Sequence, residues 1–387
     1  MKVAFYSNTI LEYGGGLEKY YIEITDNLSL FYPELSIDII TLNKKFSERI
    51  FGLLRIYYFK NFSISSLFKE TESEVRRRIN PNVNYIKVDS LKQLANTLDN
   101  YDFIYSKNEL IELIILKFIL KYKNIPPVIL GCHTPIYYPR TRSVQSKIHN
   151  FIYNSAIYKC LASGIYKFHV INSSDEAALK KMFRSDQVIK IYNPFNFDEF
   201  VEQSNKFSSD YDFDGSKFNI LWAGRLTEQK GVSDLIKIVE LVNSSKYKNE
   251  IVWNICGDGL ERDKILDLEK KWNNVKYFGH VESKYMASLY KKNNLFISTS
   301  AWEGFPYNLL EAQSVGLPVL SYNVSGCNEI IENGINGILV ENTNQFVKGL
   351  QKIVDGKYFF RDIDKFINRK FDPTLIYNEI KNLFIKH

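Results

Sequence analysis

Four side chains of the types that handle phosphate and hydroxyl groups fall in two short stretches of the second half of the chain. "AGRLTEQKG" carries Arg225 and Lys230, and "AWEGFPYNLLEA" carries Glu303 and Glu311, eight positions apart across a Gly-Phe-Pro turn. An arginine forks across two phosphate oxygens and a lysine supplies a point charge, so two cations just before a helix suit a diphosphate. Carboxylates repel that diphosphate and must instead accept hydrogen bonds from hydroxyls. Phosphate together with polyol describes a nucleotide sugar. Arg225 and Lys230 alone read equally as a diphosphate grip or as solvated surface charges, and Glu303 and Glu311 alone read as a loop charge and a solvent-facing helical residue; the four in one chain order carry the assignment.

Such residues act together only if the fold delivers them to one place. In open α/β sheets that place is the carboxyl end of the strands. Strand "FNILWAG" delivers Arg225, and strand "NLFIST" delivers Glu303; the next helix is predicted to begin near Tyr307 or Asn308 with its free amides facing the ligand.

The remaining apolar runs fit the same scheme. The first half reads as strands "KVAFYS", "SIDIITL", "YDFIYS", "PVILGCH", "KFHVINSS" and "VIKIYNP", with a glycine loop "YGGGLE" and a helix through about Leu30 after the first. The second half restarts with "FNILWAG" and continues through "IVWNICG", "VKYFG", "NLFIST", "PVLSY" and "GILV". Strands alternating with helical patterns indicate βαβ units and parallel sheets, here two Rossmann-like halves in tandem. "DEFVEQSNKFSSDYDFDGSK" reads as a polar linker. "FDPTLIYNEIKNLFIKH" reads as a Pro-started helix with nothing left to pair with in the second sheet, and is expected to pack back on the first half. Two further features stay open on the residues alone. Gly14 to Glu18 lack the G-x-G-x-x-G spacing and serve either a ligand or a tight turn; His133, ending a strand in "LGCHTP", is either a polar contact or incidental.

The 387 residues suffice for two domains with separate cores, and 45% hydrophobic with 24% charged residues is a globular balance. "MKVAFYSNTI" lacks the pattern of a secretory signal, and "LIELIILKFILKY" is too short and too charged to span a bilayer, so a cytoplasmic location is expected. Cys132, Cys160, Cys256 and Cys327 show no Cys-x-x-Cys spacing and read as structural thiols. The net charge of +6 is uneven: residues 1–195 hold 26 Lys+Arg against 18 Asp+Glu, a balance of +8, and residues 196–387 hold 24 against 26, a balance of −2. Residues 113–174 hold eight basic side chains, no acidic one and interleaved aromatics, a composition suited to an anionic membrane surface or a lipid-linked phosphate, with a solvated basic face as the alternative. No nucleic-acid recognition module is present.

Taken in order, "GGGLEKY", "LWAGRLTEQKG", "CGDG", "STSAWEGFPYNLLEAQSVGLPVL" and "SGCNEII" resemble the retaining glycosyltransferases of family 4, glycosyl transferases group 1, over nearly the whole chain. The resemblance implies the GT-B fold: two Rossmann-like domains facing a central cleft, residues 1–195 on the acceptor side with a C-terminal helix 372–387 crossing back to them, and residues 196–371 binding the nucleotide sugar. It implies that Arg225 and Lys230 grip the donor diphosphate, that Glu311 binds the ribose hydroxyls and that Glu303 lies beside the donor sugar. It further implies that Gly304, Phe305, Pro306, Tyr307, Asn308 and Leu309 hold sugar and phosphate through their backbone, that Gly257 lies near the base, that the Gly15 and Gly16 loop closes over the donor, and that His133 lies near the transferred sugar. Ser325 stands where such proteins often have a second glycine, which puts that backbone in question.

The implied activity is retaining hexosyl transfer from a nucleotide-diphosphate sugar, UDP by preference, to a glycan or lipid-linked acceptor in cell-surface polysaccharide or glycoconjugate synthesis. No protein nucleophile, cofactor or metal is required; Asp210, Asp212 and Asp214 alternate in "DYDFDG" but fall in the polar linker. The rival reading is a non-catalytic subunit that keeps the fold to stabilise a partner enzyme. Such a subunit would be expected to lose the cations or the glutamate pair.

Overall fold

The computed structural model describes residues 1–9, 11–13, 16–43, 45–46, 71–122, 125–139, 144–208, 211 and 213–385. The chain packs as two units. Unit 1 comprises Met1–Tyr137, Ser143–Ile191 and Thr374–His387, and unit 2 comprises Tyr138–Arg142 and Tyr192–Pro373.

Unit 1 is built on seven strands: β1 (Lys2–Ser7), β2 (Ser36–Leu42), β3 (Asn84–Val88), β4 (Phe103–Lys107), β5 (Val128–Cys132), β6 (Lys167–Val170) and β7 (Val188–Lys190), in the order β3-β2-β1-β4-β5-β6-β7. All pairings are parallel; Val3 stands opposite Ile37 on one side and Phe103 on the other. The β1, β4 and β5 runs are buried nearly throughout, as strands covered by helices on both faces must be. The order reverses between β1 and β4, which makes their carboxyl ends the switch point of this sheet.

Unit 2 repeats the plan with β8 (Phe218–Ala223), β9 (Ile251–Cys256), β10 (Val275–Tyr277), β11 (Leu295–Ser298), β12 (Val319–Tyr322) and β13 (Gly337–Val340), in the order β10-β9-β8-β11-β12-β13. Its switch point lies between β8 and β11, the two strands that deliver Arg225 and Glu303. The sheet pairs are again parallel, with Leu295 opposite Ile220 and Phe218 opposite Ile251.

The stretch expected as a linker is in part a helix. Phe197–Lys206 is helical, its start capped by Asn196, whose Oδ1 accepts from the Glu199 amide at 3.2 Å. Phe197 and Phe200 lie three apart on one face, are buried, and pack with Phe195; Phe200 also meets Tyr290. The Asn-x-x-Glu start was a helix signal that the polar composition masked. Asp210 and Asp212 lie outside the described residues, and Asp214 accepts from the Ser216 amide at 3.0 Å as a turn residue.

The C-terminal helix Pro373–Asn382 and the residues after it pack on unit 1. Phe384 meets Phe5, Phe103 and Tyr105, Tyr377 meets Phe31, and Lys381 pairs with Glu34 at 2.7 Å. The buried phenyl ring, rather than the exposed ion pair, holds this segment down.

Candidate functional site

The site grows from the ends of β8 and β11. After β8 the chain runs through Gly224, Arg225 and Leu226 directly against the loop that follows β9. The Leu226 amide donates to the Asp258 carbonyl at 2.9 Å. Gly257 has φ +137, and a Cβ there would stand 1.8 Å from the Gly224 carbonyl oxygen. No other residue tolerates both the backbone and the approach, so Gly257 is what lets the two loops meet.

A turn of 3-10 helix, Glu228–Lys230, comes next and ends on Gly231 at φ +68. A Cβ on Gly231 would lie 1.9 Å from the Thr299 carbonyl oxygen, so this turn is pressed onto the end of β11. Thr299 Oγ1 donates to the Lys230 carbonyl at 2.9 Å and accepts from Trp222 Nε1 at 3.0 Å. Those contacts aim Lys230 at Glu303: Nζ to Oε1 is 2.6 Å, and Ser300 Oγ donates to the same oxygen at 2.6 Å. The pair is largely shielded, the side chains being 15% and 6% exposed.

Arg225 is exposed and donates from Nη2 to Gln229 Oε1 at 3.2 Å. Gln229 in turn accepts from the Ala301 amide at 2.8 Å through its carbonyl and reaches the Trp302 carbonyl at 3.4 Å through its side chain. Thus Gln229 holds the Arg225 loop to the Glu303 loop.

The helix Tyr307–Ser314 starts at the position expected from the sequence. Pro306 precedes it and supplies no side-chain cap, and its carbonyl accepts from the Leu309 amide at 3.1 Å. Asn308 Nδ2 donates to the Ala223 carbonyl at 3.1 Å and pins the helix start to the end of β8. Asn308 Oδ1 is buried without a hydrogen-bond partner. Glu311 Oε2 accepts from Tyr290 OH at 2.8 Å; burial first, and the Glu311 charge second, push the Tyr290 hydroxyl well above its ordinary range. Tyr290 therefore stays a donor and fixes the Glu311 rotamer.

Side chains and backbone divide the work in "GFPYNL". Phe305 is buried against Tyr192 and Phe371, and Leu309 is buried completely, so neither side chain is available to a ligand. Gly326, with φ +82, approaches the turn so closely that a Cβ would stand 2.5 Å from the Gly304 carbonyl oxygen. Ser325 has no positive φ, so the backbone there does not demand the second glycine.

The structure brings Arg225, Lys230, Gly257, Glu303, Gly304 to Leu309 and Glu311 into unit 2, around the switch point of its sheet. His133 stands in unit 1, at the end of β5. Its Nε2 is 2.9 Å from Tyr105 OH, which is 2.8 Å from His169 Nδ1, and His169 Nε2 is 2.9 Å from the Ile191 carbonyl. Burial lowers His169 to about 4, so it is neutral and donates from Nε2 to that carbonyl. Gly131 leaves the room: a Cβ there would be 2.7 Å from His133 Nε2. Gly15 lies outside the described residues, and Gly16 opens the helix Gly16–Phe31. Among the described residues no group of three or more His, Cys, Asp or Glu is placed to hold a metal ion.

Gln229, Ser300 and Tyr290 position the charged groups and were not anticipated from the sequence. Gln229 lies between the two cations in "RLTEQK", which was a signal of sorts; Tyr290 lies 21 residues before Glu311 and was invisible without the fold.

Residues 203–369 match the family model of glycosyl transferases group 1. The chain is similar to an uncharacterized 41.2 kDa protein in the cps region of Klebsiella pneumoniae, 33% identical over 41% of this chain and 43% of that one. It is also similar to the UDP-Gal:alpha-D-GlcNAc-diphosphoundecaprenol alpha-1,3-galactosyltransferase of Escherichia coli, 25% identical over 48% of this chain and 50% of that one. The matches thus span about half the length of these curated relatives or less. Among solved structures, the lipopolysaccharide outer core galactosyltransferase WaaB in its apo form aligns with a TM-score of 0.70 at 19% identity, covering 99% of this chain and 98% of that one. At that identity the likeness establishes the shared two-domain fold.

Proposed function

We propose, taking residues 203–369 as a glycosyl transferases group 1 module, that the protein is a retaining glycosyltransferase of cell-surface polysaccharide or glycoconjugate synthesis. Its donor is a nucleotide-diphosphate sugar, and the similarity to the Escherichia coli UDP-Gal galactosyltransferase makes a UDP-sugar the first choice. The same relative's name favours a glycan or lipid-linked acceptor, and the acid-free stretch 113–174 suits an anionic membrane surface.

The observation that carries this reading is the conjunction, at one switch point, of a shielded Lys230–Glu303 pair with the start of the helix Tyr307–Ser314, where Pro306 supplies no side-chain cap. The first-turn amides of Tyr307–Ser314 and the positive end of its dipole suit an anion. Arg225 adds a fork from the exposed side. Lys230 has three N–H donors and spends one on Glu303, which leaves two for phosphate oxygens. Glu303 and Glu311 then accept from hydroxyls of sugar and ribose.

Chemistry in such a site is electrostatic. As the glycosidic bond breaks, negative charge builds on the diphosphate, and cations already held in place stabilise it without reorganising. Glu303, itself held by the Ser300 hydroxyl, fixes the Lys230 ammonium, and Gln229 holds the Arg225 guanidinium. The acceptor hydroxyl attacks from the face that the diphosphate leaves, and the departing phosphate oxygen takes its proton. The sugar keeps its anomeric configuration, and neither a protein nucleophile nor a metal takes part.

The test follows the anomeric protons of a panel of nucleotide sugars by NMR in the presence of the protein. Slow release of the α sugar from one α-configured donor, absent with Glu311→Ala, is the expected result. First appearance of the β sugar would overturn the retaining reading, and a need for added manganese would overturn metal independence.

A further inference from the structure

Five large apolar side chains stand exposed on three successive helices of unit 1. They are Ile114 and Phe118 on Leu110–Tyr122, Val144 and Phe151 on Val144–Tyr153, and Ile157 on Ala156–Leu161; Phe118 is 51%, Val144 67% and Phe151 71% exposed. The first helix joins β4 to β5, and the other two lie between β5 and β6. These strands are neighbours, parallel, and progress across the sheet in one direction, so right-handed connections place their helices on one face. The helices also touch in series: Ala156–Leu161 packs on both of the others, and Lys117 Nζ donates to Ser163 Oγ at 2.5 Å.

Each helix already has its core contacts. Leu113, Leu116 and Ile119 of the first, Tyr153 of the second and Tyr158 of the third are buried in the unit 1 core. The exposed residues are therefore a second, outward set. Ile114 and Phe118 are four apart; Val144, Lys147 and Phe151 are three and then four apart, each set forming a row along one helix. Lys147 and Lys159 are exposed among them, and no acidic residue occurs from 113 to 174. A protein-binding surface has no need to exclude every carboxylate. A surface meeting anionic headgroups does, and large apolar side chains between lysines suit the boundary below those headgroups.

We propose that this three-helix face of unit 1 docks on an anionic lipid surface, with Phe118 and Phe151 entering the headgroup boundary and Lys147 and Lys159 meeting the phosphates. This deepens the reading of a lipid-linked acceptor and rests on it for its purpose. The binding itself makes no use of the donor site, so the two claims fail separately.

Cys160, on the third helix, is exposed, whereas Cys132, Cys256 and Cys327 are buried, so an environment-sensitive fluorophore on Cys160 reports from the face itself. The labelled full chain is titrated with phosphatidylcholine vesicles and with vesicles of equal phosphatidylcholine and phosphatidylglycerol. A blue shift is expected only with the second, weakened about tenfold or more by Phe118→Ser with Phe151→Ser. Lys147→Gln and Lys159→Gln are expected to weaken it about fivefold each. The variants should keep the wild-type thermal midpoint, and donor binding by unit 2 should not change. No shift on phosphatidylglycerol, an equal shift on phosphatidylcholine alone, or a shift indifferent to the phenylalanine pair would each overturn the proposal. So would sedimentation showing that the pair instead holds two copies of the chain together.

Discussion

The Lys230 ammonium lies 2.6 Å from Glu303 Oε1, and a turn that ends on Gly231 holds it there. The two residues assigned to different parts of a donor thus neutralise each other in the free protein. Stability and function can be separated at this pair. Lys230→Ala leaves a shielded carboxylate without its cation, an arrangement that typically costs about 3–5 kcal/mol. Lys230→Ala with Glu303→Gln is expected to recover most of that loss in urea denaturation while transfer stays down by about two to three orders of magnitude. Recovery of transfer along with stability would show that the pair is structural only.

Arg225 is exposed and bonded only to Gln229 among the contacts described. Arg225→Ala should therefore change stability by less than about 0.5 kcal/mol. Turnover is expected to fall about 100- to 1,000-fold, as for loss of one preorganised charge donor. Steady-state kinetics beside a thermal melt checks both halves.

Gly231 makes the opposite case. With φ +68 and a Cβ position 1.9 Å from the Thr299 carbonyl oxygen, Gly231→Ala must either strain the turn or push it off β11. A loss of at least about 2 kcal/mol is expected, from the left-handed backbone and the clash together. A midpoint unchanged in urea would mean that the turn is not seated as described.

Tyr290 and Glu311 separate positioning from contact. Tyr290→Phe removes the donor at 2.8 Å from Glu311 Oε2 but leaves the carboxylate. Stability should drop by about 1 kcal/mol, and donor affinity by less than the loss in Glu311→Ala. Equal losses in the two variants would give Tyr290 a direct role.

Glu112 offers a pH signature away from the donor residues. It is buried, and burial pushes its carboxyl from the ordinary 4.5 up to about 8, with Lys107 pulling the other way. Between those values the folded chain holds a proton that the unfolded chain has released, so this group makes stability fall as pH rises. Glu112→Gln removes that slope. Relative to wild type, the variant should gain stability as pH rises from about 4.5 to about 8 in urea melts. A difference independent of pH would place an ionised carboxylate in the core.

Legibility followed burial and chain distance. Strands such as "IVWNIC" are apolar because both faces are covered, and they could be read directly. β3, "NYIKV", places Asn84 and Lys87 among only three apolar residues at the sheet edge, too little apolar sequence to read as a strand. Arg225, Lys230 and Glu303 stood out because they follow strands, whose ends are where ligands bind, and Glu311 because it lies in the helix that comes next. Their supports did not stand out. Lys230 meets Glu303 across 73 positions, and Tyr290 reaches Glu311 from another helix, so the pairings exist only through strand order and helix packing. The Phe197–Lys206 helix was hidden for another reason: its apolar content is little more than Phe197, Phe200 and Val201, a stripe too narrow to show among polar residues.

Calorimetric titration of the purified chain with UDP-sugars, alongside Arg225→Ala and Glu311→Ala, tests the central claim most directly. One UDP-sugar should bind the wild type, with the heat lost or sharply reduced in both variants while their thermal midpoints hold. Undiminished binding in both variants would mean that these residues do not grip a donor. Absence of binding by the wild type to UDP-, GDP- and ADP-sugars alike would contradict the donor site itself.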